Sequence, residues 1–348
     1  MYGNMKRFKF SSCIWILLVA LFISCDKVSP TGVLVGGSGV DDRVDMSYTY
    51  FKNFMEDVID METPTAADGE YSFLVGSDSH VASDPGRINE MITDGLEHGD
   101  LFWASLGDIA DTSADNYITL KKALNEGWKN YVYKYFEGRD VDGVAKMCDK
   151  RYLDDGKSAY THSYLATRVD DIPFPFYSVV GNHDVTRNGW ALFSSIFHSS
   201  FFEFTVKIGN TDEYDHFVFL DTANGTLGKK QIDLLNSDVF KVDKKIRNTF
   251  VFSHTNLFRP SYMQFSSTFP REELYYLLHK FTEWNTTIVF CGHVHKWDDR
   301  ELGGVRYLTL ESMSERNSPD AGDYLVRITC KKDGTVDMQR VHMNYVKK

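Results

Sequence analysis

The stretch Val289-Phe290-Cys291-Gly292-His293-Val294-His295 decides how the rest of the chain is read. An apolar run stops at a glycine and is followed at once by two histidines one residue apart. A strand ending this way can send both imidazoles toward one point beyond a sheet edge, provided the backbone turns there. Gly292 supplies that freedom. Two alternating imidazoles at a strand end suit a site with two metal ions, one histidine for each.

Four clusters upstream repeat the context of an apolar run, then glycine or serine, then metal-type ligands. Tyr71–Gly76 runs into Ser77-Asp78-Ser79-His80, and Leu101–Leu106 into Gly107-Asp108-Ile109-Ala110-Asp111. Phe174–Val180 runs into Gly181-Asn182-His183-Asp184, and Thr249–Phe252 into Ser253-His254. An Asp-x-His pair alone is a common capping or turn feature. All five clusters, in this order and each past an apolar run, are much harder to obtain by chance.

The segments between them alternate in period. Helical spacing is expected over 44–62, 86–98, 229–235 and 271–283, and strands over 71–76, 101–106, 174–180, 249–252, 287–290, 304–310 and 324–329. Phe202–Ile208 and His216–Leu220 flank Gly209-Asn210-Thr211-Asp212, a hairpin signal. Lys331-Lys332-Asp333-Gly334 reads as a turn into a last strand. Strands alternating with helices, with polar residues just past strand ends, predict an α/β fold whose site lies along one sheet edge.

These motifs resemble the fingerprint of the calcineurin-like metallophosphoesterases: Asp-x-His, Gly-Asp-x-x-Asp, Gly-Asn-His-Asp/Glu, His and Gly-His-x-His. The resemblance covers about residues 71–311, and Leu220-Asp221-Thr222 with Gly228 and Gln231 is similar to a structural segment of that family. It implies a four-layer α/β/β/α sandwich, two mixed β-sheets face to face with helices outside. It further implies one metal ion held by Asp78, His80, His295 and a bridging Asp108, and a second by Asp108, Asn182, His254 and His293. A carboxylate suits a bridge because it offers two oxygens and a negative charge. The imidazoles and amide oxygen make borderline sites for Mn, Fe, Zn or Co. Two such cations would acidify a bridging water and clamp a phosphoryl oxygen for in-line attack. In the same scheme His183 is no ligand; it stabilises charge and protonates the leaving oxygen, and Asp111 orients its imidazole.

The chain departs from the family between the second and third motifs, where the helical insertion 112–173 lengthens a usually short connection. Residues 112–180 hold ten basic and ten acidic residues and twelve aromatics. Tyr117, Leu120, Leu124, Trp128, Tyr131 and Tyr135 share one helical face. Two readings stand: a subdomain packed on its own aromatics, or a cap over the cleft that selects the organic part of a substrate. Arg187, four residues past His183, reads as a salt-bridged loop arginine or as a phosphate contact. His98, His162, His198, His216, His279 and His342 lack ligand-type neighbours and read as surface or core histidines.

The chain start speaks to location. Lys6, Arg7 and Lys9 precede the apolar stretch Ile14–Ile23, a targeting segment too short to span a bilayer comfortably. It ends at Phe22-Ile23-Ser24-Cys25, which resembles the lipobox of bacterial lipoproteins, with Phe22 in the place of the usual leucine. Cys25 is then the lipidated residue; the other reading is an ordinary signal peptide cut nearby. Residues 26–43 read as a flexible tether and 44–348 as the folded domain. Without residues 1–24 the chain carries 35 basic and 49 acidic residues, a net charge of −14. Such a field repels polyanions and argues against a nucleic-acid partner. Of the five cysteines, Cys148, Cys291 and Cys330 remain beyond Cys25, too few for a disulfide framework. Cys291 reads as a buried small hydrophobe, and a Cys148–Cys330 bridge has no support in the sequence.

The expectation is therefore an exported, lipid-anchored phosphoesterase of the bacterial cell envelope, dependent on two transition-metal ions and acting on small phosphomonoesters or phosphodiesters. The alternatives are an exported scaffold that keeps the fold without the chemistry, and a nuclease of the same family, which the acidic balance disfavours.

Overall fold

The structure, a computed structural model, describes residues 39–48, 65–135, 174–237, 243–258, 269–314 and 322–344. Its strands form two mixed sheets. The larger has the order β1 (Thr65–Ala66), β5 (Phe202–Ile208), β6 (Glu213–Phe219), β7 (Lys245–Phe252), β8 (Ile288–Cys291), β10 (Val305–Thr309), β9 (Asp298–Leu302). The smaller runs β12 (Val336–His342), β11 (Tyr324–Cys330), β2 (Tyr71–Gly76), β3 (Trp103–Ser105), β4 (Phe176–Ser178).

Alternation along each strand sorts side chains between two cores. Phe217, Phe219, Phe250, Phe252 and Phe290 meet Phe73, Phe102 and Tyr177 of the facing sheet in a core rich in aromatic rings. There the Phe219 and Phe252 rings stack with centroids 4.3 Å apart, and Phe73 lies 4.7 Å from Phe102. Val218, Val251 and Val289 point the other way, under α1 (40–48), α6 (Gly228–Leu235) and α7 (Arg271–Glu283). Leu74, Trp103 and Phe176 likewise face away from the centre, toward α2 (Gly86–His98), α3 (Ala114–Tyr135) and, beyond the one-turn α4 (Asn182–Val185), α5 (Gly189–Phe197). The result is the expected α/β/β/α order of layers.

Pairing direction places the site. β2, β3 and β4 are parallel, as are β6, β7, β8 and β10, so the five motifs leave carboxyl ends of parallel strands. The pairing continues past the strands: His80 N donates to Asp108 O at 2.9 Å and Val81 N to Ile109 O at 2.9 Å. Across the sandwich, Met313 N donates to Ser77 O at 2.8 Å, which joins the site edges of the two sheets.

Helices 86–98 and 271–283 and the hairpin β5–β6 match the sequence expectation. β9 was invisible to it because Asp298-Asp299-Arg300-Glu301-Leu302 is an edge strand whose exposed charges carry no apolar pattern. The expected tether 26–43 needs correction at its end. Residues 40–43 open α1, where Val40 and Arg43 are buried and the Arg43 guanidinium makes two 2.8 Å hydrogen bonds to the Asp221 carboxylate. Asp221 is also fixed by Gln231, whose side chain accepts from Asp221 N and donates to Asp221 O. Residues 26–38, the targeting segment with Cys25, and the 49–62 part of the expected first helix lie outside the described residues.

The described part of the insertion, α3, packs into the main body of the fold. Tyr117, Leu120, Leu124 and Trp128 are buried in the core shared with α2, α5 and the smaller sheet. Residues 136–173, with Cys148 and His162, lie outside the described residues. Cys291 and Cys330 are free, buried thiols; burial pushes the Cys291 thiol up to about 12. Among the described residues no helix is long and apolar enough to cross a membrane.

Candidate metal centre

Backbone conformation marks the site first. Asp78, His80, Asp108, His293 and His295 all have φ between 44° and 70°, the left-handed region. For residues other than glycine each such turn costs on the order of 1–3 kcal/mol. Close packing holds them there. A Cβ on Gly292 would run into the Ser77 hydroxyl and, at 2.6 Å, the Asp78 carboxylate. A Cβ on Gly181 would fall on the backbone and carboxylate of Asp108.

The side chains expected to hold metal converge in two groups, and His80 forms a third with Asp111 and His183. In one, ligand atoms of Asp78, His80 and His295 lie within 4.8 Å of one another; in the other, those of Asp108, His254 and His293 do. Asn182 belongs to the second group, its Oδ1 2.9 Å from His254 Nε2. Asp108 Oδ2 stands 3.5 Å from His254 Nε2 and 3.9 Å from His80 Nε2, so one carboxylate reaches both groups. The seven residues expected to hold metal are thus brought together, with Asp108 between them.

Hydrogen bonds on the outer ring nitrogens of His254 and His80 turn their inner nitrogens toward the centre. His254 Nδ1 is 2.8 Å from Leu106 O and must donate to it, which makes Nε2 the acceptor nitrogen. That nitrogen then faces two further acceptors, Asn182 Oδ1 and Asp108 Oδ2, a juxtaposition that a cation relieves. His80 Nδ1 is 3.0 Å from Asp111 Oδ1, and its buried Nε2 has no hydrogen-bond partner. An orphaned imidazole nitrogen 3.9 Å from the Asp108 carboxylate fits a metal ion.

Electrostatics agree with that fit. Burial, then the neighbouring His254, pushes His293 down to about 4, and burial lowers His80 too, so both imidazoles are neutral at neutral pH, the form a metal ion would bind. Burial would raise the Asp78 carboxyl, but the hydrogen bond from His295 holds it well below the usual carboxylate range. The centre thus offers two carboxylates and four imidazoles, of which His80 and His293 are held neutral by burial. That is a donor set for borderline divalent ions such as Mn, Fe, Zn or Co.

His183 and Asp111 sit beside the first group. His183 Nδ1 is 3.5 Å from Asp111 Oδ1, while its backbone N donates to Asp108 Oδ1 at 2.7 Å. The Asp111 carboxylate is closer to His80 than to His183, so it orients a candidate ligand as well as the candidate acid. Arg187 is exposed, with φ 47°, and makes no ion pair among the described residues. His216 pairs with Glu203 at 2.6 Å, His98 lies 3.3 Å from Asp100, and His342 packs on Tyr324; none reaches the centre.

Two supporting residues were not singled out from the sequence. Ser312 Oγ donates to Asp78 O at 2.8 Å, and Asp184 accepts from Gly181 N at 2.8 Å and Tyr117 OH at 3.0 Å. Tyr117 looked like one more aromatic on an apolar face, and nothing local sets its hydroxyl apart. Asp184 closes the Gly-Asn-His-Asp motif, which is the signal that could have found it.

Comparison with known proteins adds likeness of structure only. No family model matches the chain, and no curated protein matches it. Among solved structures it is similar to GAP50, the anchor in the inner membrane complex of Plasmodium, at 15% identity and TM-score 0.44 over 80% of this chain and 90% of that one. It is similar to a dimetal phosphatase from Danio rerio at 12% identity and TM-score 0.39, over 79% and 99% of the two chains. Zinc-complexed Vps29 from Entamoeba histolytica follows at 15% identity and TM-score 0.29, over 78% and 99%. The layers and strand order described above stand independently of these likenesses.

Proposed function

We propose that the chain is a calcineurin-like metallophosphoesterase that hydrolyses small phosphomonoesters or phosphodiesters with two transition-metal ions. One observation carries this: two ligand groups share the Asp108 carboxylate, and the buried His80 Nε2 between them lacks a partner. In this reading Asp78, His80, His295 and Asp108 hold one ion, and Asp108, Asn182, His254 and His293 the other. Two cations so held supply Lewis-acid activation of water and of a phosphoryl oxygen.

The chain's own residues account for the rest. The His183 side chain is 44% exposed, open to a substrate, whereas that of His80 is 3% exposed. Its Nδ1 faces Asp111, so a proton on the far nitrogen can be passed to a leaving oxygen. The Asp111 carboxylate, 3.5 Å from that Nδ1, orients the imidazole.

Location enters the proposal from the sequence. Cys25 is the lipid-bearing residue of an exported, membrane-anchored protein, and the net charge of −14 favours small substrates over nucleic acid. Cys25→Ser should release the protein from the membrane fraction; persistence there with its lipid label would sink the anchor.

The deciding experiment measures metal content and hydrolysis together. The purified protein should carry about two transition ions per chain and turn over a panel of mono- and diesters with Mn, Fe, Zn or Co. Asp108→Asn should lose at least one ion and nearly all turnover. A wild-type protein without metal or hydrolysis would leave a scaffold of the same fold, and full occupancy with normal rate in Asp108→Asn would end the shared-carboxylate reading.

A further inference from the structure

Helix α3 contributes no candidate ligand, yet its first turns reach the centre. The Asp184 carboxylate is fully buried, and no lysine or arginine pairs with it among the described residues. It accepts from Gly181 N at 2.8 Å and from Tyr117 OH at 3.0 Å, with Ile109 N and Ala110 N at 3.4 Å. Gly181 precedes Asn182, and Ile109 follows Asp108. One carboxylate therefore ties the turn bearing Asn182 and His183 to the turn bearing Asp108.

We infer that Tyr117 and Asp184 are a positioning pair that sets the spacing of these two turns, and that α3 thereby governs affinity for the ion of the Asp108–Asn182–His254–His293 group. The inference rests on the two-metal reading. Tyr117 is buried to 1% exposure with its ring in the core against α2 and α5, so the hydroxyl has no freedom to turn elsewhere. Burial and then the Asp184 charge push that hydroxyl well above its ordinary range, and it remains a donor. It is the one side-chain donor to Asp184 among the described residues; the other three are backbone amides of the turns being held. A buried carboxylate deprived of it must shift toward those amides or admit water, and either changes where they sit.

Tyr117→Phe tests this because the ring packing is kept. The full chain loaded with Mn(II) and titrated against a competing chelator should show one ion bound about tenfold or more weakly, the low end for loss of an outer-shell partner. The other ion should be held as in wild type, and the Mn–Mn coupled resonance should change. Leu124→Ala, in the same helix and the same core, should lower Tm by at least as much and leave both affinities alone. In the metal-free protein the amides of Ile109, Ala110 and Gly181 should exchange faster in Tyr117→Phe than in Leu124→Ala.

Unchanged affinities and unchanged exchange in Tyr117→Phe would overturn the inference. So would the same selective loss in Leu124→Ala, which would reduce it to general stability. A wild-type chain that binds no metal would end the two-metal reading separately, and amide exchange in the metal-free protein would still decide whether Tyr117 positions the turns.

Discussion

His80 and His183 share one carboxylate and differ in what surrounds their second nitrogen. For His80 it is buried and aimed at Asp108, for His183 it lies in the open part of the site. Under the proposed function, that contrast separates holding metal from moving a proton. His183→Ala should keep both ions and lose roughly 10²–10⁴ in kcat on esters with poor leaving groups. The loss should shrink on a nitrophenyl ester, whose oxygen hardly needs a proton. Asp111→Asn should behave differently, since Asp111 is 3.0 Å from His80 Nδ1 and 3.5 Å from His183 Nδ1. It should weaken the ion of the Asp78 group by roughly 10–100-fold as well as slow the acid step. Rates on both substrates, with metal titrated in parallel, check both variants; an equal loss of rate on the two esters in His183→Ala would remove the acid role.

Turns at strand ends are the elements on which the site is built. β3 and β4 are neighbours in register, with Ser105 opposite Ser178, so the turns that follow them leave the sheet side by side. They approach closely enough that Gly181 has no room for a side chain against Asp108. Gly181→Ala should therefore cost about 1–3 kcal/mol through overpacking and move Asn182 from Asp108. The expected outcome is a lower Tm and loss of at least one ion, read by calorimetry and metal analysis. Wild-type stability and occupancy in that variant would mean the two turns can part without consequence.

The whole molecule carries a pH dependence that its buried histidines set. Burial, then Lys121, pushes His198 down to about 4, against an ordinary value of about 6.5. The folded state therefore holds His198 neutral while the unfolded state takes up a proton first as pH falls. Stability present above about pH 6.5 is lost progressively toward pH 4, by up to about 3 kcal/mol for a shift of this size. Asp184 acts with the opposite sign: burial and then Asp108 raise it to about 6, so protonation there favours the fold. The difference between wild type and His198→Asn isolates the histidine, and asparagine suits the left-handed backbone at φ 55°. Tm of the two metal-free proteins from pH 7 to 4.5 should converge as pH falls; parallel curves would show that His198 titrates normally.

The sequence by itself determined the candidate ligand types, their order and the strands that carry them. Phe217-Val218-Phe219 and Phe250-Val251-Phe252 set their rings on one face and their valines on the other, because side chains alternate along a strand whatever its neighbours are; packing decides which face is inner. Gly-Asn-His-Asp and Gly-His-x-His announce a site because each motif is contiguous. Only the tertiary structure decided the partners that lie far apart in the chain. Asp111 was expected to serve His183 and stands closer to His80; Arg43 was assigned to a tether and is buried against Asp221, 178 residues away. Tyr117 was an aromatic on an apolar face until folding brought its hydroxyl to Asp184, 67 residues on. Local periodicity fixes which way a side chain points, but the atom it meets there depends on how whole layers pack, and no pattern within one segment encodes that.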